Sequence, residues 1–278
     1  MTGLRHTHRL DLLLKAADLA RSTFYYHVRA ARLLDKHADL KAQICSVFNR
    51  HKGRYGYRRI TATLRQTGEQ VNHKTVQRLM GLLGLKSLVR VKKYRSYQGT
   101  VGRVAPNVLQ RQFDAARPNQ KWVTDVTEFK VGDEKLYLSP VLDLYNGEIV
   151  AYEMARRPAF EMVGKMLRRA LLRLGEQDQP IVHSDQGWHY QMSAYRRLLA
   201  KKSLTQSISR KGNGLYNAAM ESFFGTLKSE FFYLNKFANI DELQAGLKRY
   251  IHYYNHDRIK LKLKGLSPVQ YRTQPLAN

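Results

Sequence analysis

Apolar positions recur at two different periods along this chain, and the change of period divides it. From Asp11 to Ala20 the spacing is helical, with Leu12, Leu13, Ala16 and Leu19 on one side. Ala20-Arg21-Ser22 then predicts a turn, with Ser22 as N-cap of a second short helix from Thr23 to Val28. Asp35 to Phe48 repeats the helical spacing. A further helix is predicted from Ile60 to Arg65, then a turn at Gly68, then a helix opened by Asn72-His73-Lys74-Thr75 and stopped by Gly84. Paired short helices of this kind predict two helix-turn-helix-like units, residues 1–34 and 35–92. In the second, Val76, Leu79 and Met80 face the core. Asn72, His73, Lys74 and Gln77 point outward at the N-terminal end, where recognition helices place base-contacting side chains. Helical hairpins that never touch DNA show the same pattern, and solvated polar residues would read the same way.

Residues 93–117 lose all periodicity and read as a basic linker, with Gly99, Gly102 and Pro106 as breakers. From Gln120 the period drops to two. Strands are predicted at Lys121 to Val131, Leu136 to Leu144 and Glu148 to Ala155. Gly132-Asp133-Glu134 and Tyr145-Asn146-Gly147 supply the hairpin turns. A helix follows from Phe160 to Leu174, a short buried strand from Ile181 to Ser184, a helix at 191–202 and a strand at 203–208. Ser209 to Tyr216 reads as a loop, and residues 217–229 as a helix. The order βββαβαβα is the pattern of an α/β, RNase H-like domain, residues 118–230: a mixed five-stranded sheet with flanking helices. Residues 231–278 form a helical, aromatic-rich extension. Its last helix is capped by Ser267 with Pro268 at the first position.

Charge adds a partner to this outline. Lys and Arg number 48 against 22 Asp and Glu, a net charge of +26. Residues 1–117 hold 24 basic and 6 acidic side chains, net +18, whereas residues 118–278 hold 24 and 16, net +8. An excess of this size favours a polyanion, because each Lys or Arg on a phosphate releases counterions. An unspecifically basic surface gives the same total. Cys45 is the only cysteine, which excludes an intrachain disulfide and a four-cysteine zinc site. No run reaches the roughly 18 apolar residues of a membrane span. Leu12-Leu13-Leu14 is too short for a signal-peptide core. A soluble protein of the cytoplasm, associated with the nucleoid and not with a membrane, is expected.

Three acids change the picture from binding to chemistry. Asp125 falls in the first predicted strand, on the face of Val123, Thr127 and Phe129, where burying an acid is costly without cations or donors. Asp185 ends the short buried strand. Glu221, thirty-five residues further on, opens a helix. Carboxylates from two strands and a helix can converge on a pair of divalent cations that clamp the attacking and leaving oxygens of a phosphodiester. Taken singly, each acid reads as structural; the set carries the chemistry. Asp143 is the rival, beside a turn where it can be solvated, and Glu128 points to the opposite face. A Ser-His-Asp relay at His183-Ser184-Asp185 is excluded, since adjacent strand residues point in alternate directions. His252 and His256 have the i, i+4 spacing of a zinc pair, but aromatic packing is expected because no further ligand is evident.

Three blocks carry a family resemblance: Trp122-Val-Thr-Asp-Val-Thr-Glu-Phe, His183-Ser-Asp-Gln-Gly-Trp and Asn217-Ala-Ala-Met-Glu-Ser-Phe-Phe-Gly-Thr-Leu-Lys. With Tyr55-Gly-Tyr-Arg-Arg-Ile and Tyr253-Tyr-Asn-His-Asp-Arg, they run over essentially the whole chain. This set resembles bacterial insertion-sequence transposases of the OrfB type, whose catalytic core is retroviral-integrase-like. The resemblance implies a catalytic, metal-binding triad of Asp125, Asp185 and Glu221 with Mg²⁺ or Mn²⁺. It implies nicking of double-stranded DNA at element ends and transfer of the 3′-hydroxyl to target DNA without a covalent enzyme intermediate. It also implies a homo-oligomeric synaptic complex and an upstream helix-turn-helix product, often fused by frameshifting. Lys228, seven residues after Glu221, matches the family's basic residue for a phosphate or terminal base. Arg58, Arg59, Lys74, Gln77, Arg210 and Lys211 complete the expected DNA contacts. Two departures stand out. Tyr216 replaces the acid usual before the Asn-Ala pair, losing a carboxylate near the metal site, and Gly214 stands where a Cys is common. A metal-dependent RNase H-like nuclease without strand transfer and a catalytically decayed DNA-binding regulator are the alternatives.

Overall fold

The computed structural model describes residues 2–32, 35–88, 113–209 and 218–274. Two helices open the chain, α1 (Leu10–Ala16) and α2 (Arg21–Arg32). Ser22 lies inside α2 and does not cap it; the helix starts at Arg21. Three more helices form a small module: α3 (Ala38–Arg50), α4 (Tyr57–Gln66) and α5 (His73–Leu82). Helix α4 begins three residues before the predicted Ile60, because Gly56 is extended and leaves Tyr57 free to start the turn. Asn72 caps α5, its side-chain oxygen accepting the Lys74 N–H. Gly84 ends that helical segment at a φ of 67° that a side chain would resist. Ile44, Ile60, Leu64, Val76 and Leu79 fill the module's core, and Ile259 from the far end of the chain completes it.

The sheet has six strands: β1 (Lys121–Thr124), β2 (Thr127–Val131), β3 (Glu134–Asp143), β4 (Ile149–Ala155), β5 (Ile181–Ser184) and β6 (Gln206–Ile208). The predicted five become six because the run 121–131 breaks at Asp125 and Val126. Both halves pair antiparallel with β3 in one unbroken register, from Trp122 opposite Asp143 to Val131 opposite Glu134. That register puts Asp125 opposite Pro140. Leu144 donates to the Lys121 carbonyl at 3.0 Å, and bonded pairs recur every second residue, so Asp125 opposite Pro140 is a bonded position. Proline has no N–H to give. The ladder therefore fails where the Asp125 side chain leaves the strand.

β4 lies on the other side of β3, and β5 and β6 extend the sheet beyond β1, parallel to it. One face is covered by α6 (Phe160–Leu171), α7 (Trp188–Gln191) and α8 (Ser193–Ala200), packed on Trp122, Val141, Val150 and Val182. The single helix expected at 191–202 is two, because Met192 is extended. The opposite face is covered by α9 (Ala218–Glu230) and α10 (Ile240–His256). Met220, Phe223 and Leu227 meet Val123, Phe129, Leu138, Leu243 and Leu247 there. Each such side chain contributes at most about 1.5–3 kcal/mol on burial, enough to hold α9 against the strand that carries Asp125. The last helix, α11 (Pro268–Arg272), starts with a reciprocal cap between Ser267 and Gln270.

Candidate active site

Two acids are brought together by strand pairing alone. β1 and β5 run parallel with Thr124 opposite Ser184. The next residues, Asp125 and Asp185, therefore leave the sheet side by side on strands about 4.8 Å apart. Val123, two residues before Asp125, packs in the core under α9, so Asp125 points to the α9 face. Each carboxylate also bonds its own chain: Asp125 Oδ1 accepts from the Val126 N–H at 2.7 Å, and Asp185 Oδ1 from the Gly187 N–H at 2.9 Å. Gly187 is a site residue that motif reading passed over. A Cβ there would stand 2.9 Å from the Asp185 oxygen and 3.3 Å from the Tyr190 ring. The available signal was a glycine two residues after the acid.

Glu221 comes from the first turn of α9. Its charge reaches the pair: burial, then Asp185, then Glu221 push the Asp125 carboxyl up to about 8, against the Val126 hydrogen bond and Lys228. Burial likewise raises Asp185, countered by the Gly187 N–H and His189, and burial raises Glu221. Lys228 follows Glu221 by about two helical turns and stands 5.3 Å from the centre of the Phe129 ring. Its charge acts on both Asp125 and Glu128. Asp125 and Asp185 thus stand together, and Glu221 lies within electrostatic reach of Asp125. Hard oxygen donors in this arrangement suit Mg²⁺, which takes only one or two carboxylates and keeps several waters. Among the described residues no group of three or more His, Cys, Asp or Glu side chains stands close enough to hold a metal ion. Glu221 therefore does not complete a three-acid set with Asp125 and Asp185 here. The two aspartates, with water completing the shell, are the donors that would fit such an ion.

Models of the integrase core domain match residues 115–214 and 221–276, and a model of an HTH-like domain matches 35–93. The chain is 56% identical over 274 residues to InsK of Escherichia coli strain K12, the transposase assigned to insertion element IS150, covering 99% of this chain and 97% of that one. It is 34% identical to the transposase InsF for insertion sequence IS3A of the same strain, over 97% of both chains. The chain belongs to the insertion-sequence transposases. Its fold is also similar to a chain of the simian T-cell lymphotropic virus intasome in complex with PP2A regulatory subunit B56 gamma. That likeness has a TM-score of 0.51 at 16% identity, over 78% of this chain and 72% of that one. The mixed sheet with helices on both faces is the RNase H-like core expected of such transposases.

The transposase uses its other acids and bases differently from one another. Asp143 is not the solvated rival that its position beside a turn suggested. It is fully buried, accepts from the Asn119 and Tyr145 N–H groups at 2.9 and 3.0 Å, and is paired with Arg272 at 3.0 Å. Arg272 also holds Glu148 at 2.9 Å, so these acids anchor α11 to the sheet. His252 and His256 stack at 4.4 Å between ring centres. Of the expected DNA contacts, Lys74 and Gln77 are exposed on the first turns of α5, and Arg58 is exposed at the start of α4. Arg59 turns inward instead, to the Glu230 carboxylate at 3.2 Å. Arg210, Lys211, Gly214, Tyr216 and most of the basic linker lie outside the described residues. Among the described residues no helix is long and apolar enough to cross a membrane.

Proposed function

We propose that this transposase nicks the ends of its element and transfers the resulting 3′-hydroxyls to target DNA, using Asp125, Asp185 and Glu221 to hold Mg²⁺ or Mn²⁺. The observation that carries this reading is the side-by-side exit of Asp125 and Asp185 from paired parallel strands, with Glu221 acting on the same carboxyl. A bound cation pair would supply charge to the attacking and leaving oxygens of the phosphodiester. The chain's residues do the placing. The Val126 and Gly187 N–H groups fix one oxygen of each aspartate and leave the other for coordination. Lys228 is suited to a DNA phosphate beside Asp125, as a point charge on a long stem. Lys74, Gln77 and Arg58 would hold duplex further out, so that residues 35–92 serve as the DNA-holding module and 118–230 as the catalytic core. Arg210 and Lys211 would add further DNA contacts. Two ends must be synapsed, which calls for a homo-oligomer, and an upstream helix-turn-helix partner would supply further end recognition.

The test is cleavage and joining of labelled element-end DNA with Mg²⁺ or Mn²⁺, wild type beside Glu221→Gln. Metal-dependent joined product, reduced at least about 10³-fold in the variant, is the expected outcome. Nicks that never become joined product would replace transposition by nuclease action. Binding without any chemistry would leave a DNA-binding regulator, and Tyr216→Asp would then show whether a restored acid brings activity back.

A further inference from the structure

Helix α9 ends in a buried charge that the three acids do not use. The Glu230 side chain is 3% exposed. It accepts from Arg258 Nε and Nη2 at 2.8 and 2.7 Å, from the Tyr250 hydroxyl at 3.1 Å and from Arg59 Nη1 at 3.2 Å. Its main-chain carbonyl accepts from Arg54 Nε at 3.1 Å. The Arg54 guanidinium lies over the rings of Tyr253 and Tyr250, at 4.7 and 5.3 Å. Beside it, the Tyr55 hydroxyl donates to the Asp257 carbonyl at 3.1 Å and accepts the Ile259 N–H at 2.8 Å. The helical module, the catalytic helix and the segment 250–259 therefore meet at one carboxylate. Burial works to raise the pKa of Glu230, yet Arg258 and Arg59 hold it below the ordinary range. It is a charged anchor.

Buried ion pairs add little stability over apolar packing of the same volume, so their use is better sought in geometry. A forked guanidinium bonds a carboxylate in one plane and at one height, whereas apolar side chains tolerate sliding and rotation. Glu230 follows Glu221 by nine residues, two and a half turns and about 13.5 Å of stiff helix. A shift at one end reaches the other. Arg59 follows exposed Arg58 in a sequence block that reads as a phosphate contact, but its side chain is three-quarters buried, paired with Glu230, and its guanidinium lies over the Tyr55 ring at 5.4 Å.

We propose that Glu230 is a positioning residue: gripped by Arg59 and Arg258, it sets where Glu221 and Lys228 stand relative to Asp125 and Asp185, and Arg59 serves this link and not DNA. The consequence for chemistry rests on the metal-assisted reading above; the link itself does not. Arg59→Gln is the informative variant, because Arg258 still neutralises Glu230 and the chain keeps its fold. Three readouts on the full chain decide the matter. The first is the affinity for element-end DNA and its salt dependence; the second is the single-turnover nicking rate at saturating DNA; the third is amide exchange across residues 218–230.

Arg59→Gln is expected to bind DNA within twofold of wild type with an unchanged salt slope, to nick at least tenfold more slowly at saturation, and to exchange faster in α9. Arg59→Lys should recover most of the rate, since a single nitrogen makes the contact. Arg58→Gln, one residue away and exposed, should instead weaken DNA binding and lower the salt slope by about one. A lost salt slope with wild-type rate and exchange in Arg59→Gln would make Arg59 a DNA contact and overturn the proposal. Should wild type itself prove inactive, the metal-assisted reading fails and exchange alone decides: faster exchange confined to α9 upholds the link, and none removes it.

Discussion

At the residue scale, the site depends on single atoms that hold each acid in one orientation. Gly187 is the sharpest case, since its N–H binds Asp185 and the space where its Cβ would go is taken by that same carboxylate. Gly187→Ala must push Asp185 or Tyr190 aside by several tenths of an ångström. Misplacement on the scale of 1 Å can cost about 10²-fold in rate. We expect Gly187→Ala to lower single-turnover nicking by ten- to a hundredfold while DNA affinity stays within twofold, measured by gel-based cleavage and filter binding. Equal loss of binding and cleavage would place Gly187 in the fold and not in the site. Asp185→Asn should go further, removing metal-dependent nicking while DNA still binds. Asp125 was legible as an acid on the apolar face of a strand, Asp185 as an acid ending one, and Glu221 by its spacing. Gly187 was not, because a glycine's importance here lies in an excluded volume that belongs to its neighbours.

Among the elements, the broken first strand is the feature that a two-residue period hides. Asp125 is placed by a failure in the ladder, and Pro140 on β3 is its cause. Pro140→Ala would add one ladder hydrogen bond, worth about 1 kcal/mol net, against about 0.4–1 kcal/mol lost to a freer unfolded chain. The two nearly cancel. The melting temperature should therefore move by no more than about 4 °C while nicking falls, as the closed ladder draws Asp125 back into the strand. Wild-type nicking in that variant would show that the break has another origin. Helix α5 gives a second prediction at this scale. Lys74 is exposed beside a capped helix start, and Lys74→Ala should weaken element-end binding and reduce the salt slope by about one. An unchanged slope would remove Lys74 from the interface.

For the whole molecule, the helical module is fastened to the C-terminal segment by aromatic and charged side chains separated by about two hundred residues of sequence. His51 stacks on Tyr55 at 3.7 Å and its Nδ1 lies 3.3 Å from the Tyr253 hydroxyl. Burial, helped by nearby Arg50, lowers the imidazole to about 4 from an ordinary 6.5. Between those values the unfolded chain binds the proton and the folded one does not, so stability rises with pH across this window. His51 thus contributes its full stabilisation above pH 6.5 and loses it as the pH falls through 4, a change of at most about 3 kcal/mol. Melting curves from pH 7 to pH 4 should fall more steeply for wild type than for His51→Gln. Parallel curves would show that His51 is not the titrating group.

The alternation of apolar positions, the hairpin glycines and most of the helix caps specified the order of helices and strands, because each is decided by residues close in sequence. They did not specify the break in the first strand or the division of the helix at Met192. The helical module, the mixed sheet and the capped last helix follow from them, and the spacing of the three acids pointed to their shared chemistry. Pairing across the chain decided everything else. Whether Asp143 is solvated or buried depends on Arg272, 129 residues away. Whether Arg59 faces DNA or Glu230 depends on a partner 171 residues on. The side chains themselves are the same in either case. Burial and charge partners arise from the packed assembly, and a local pattern carries no record of which distant residue will stand opposite.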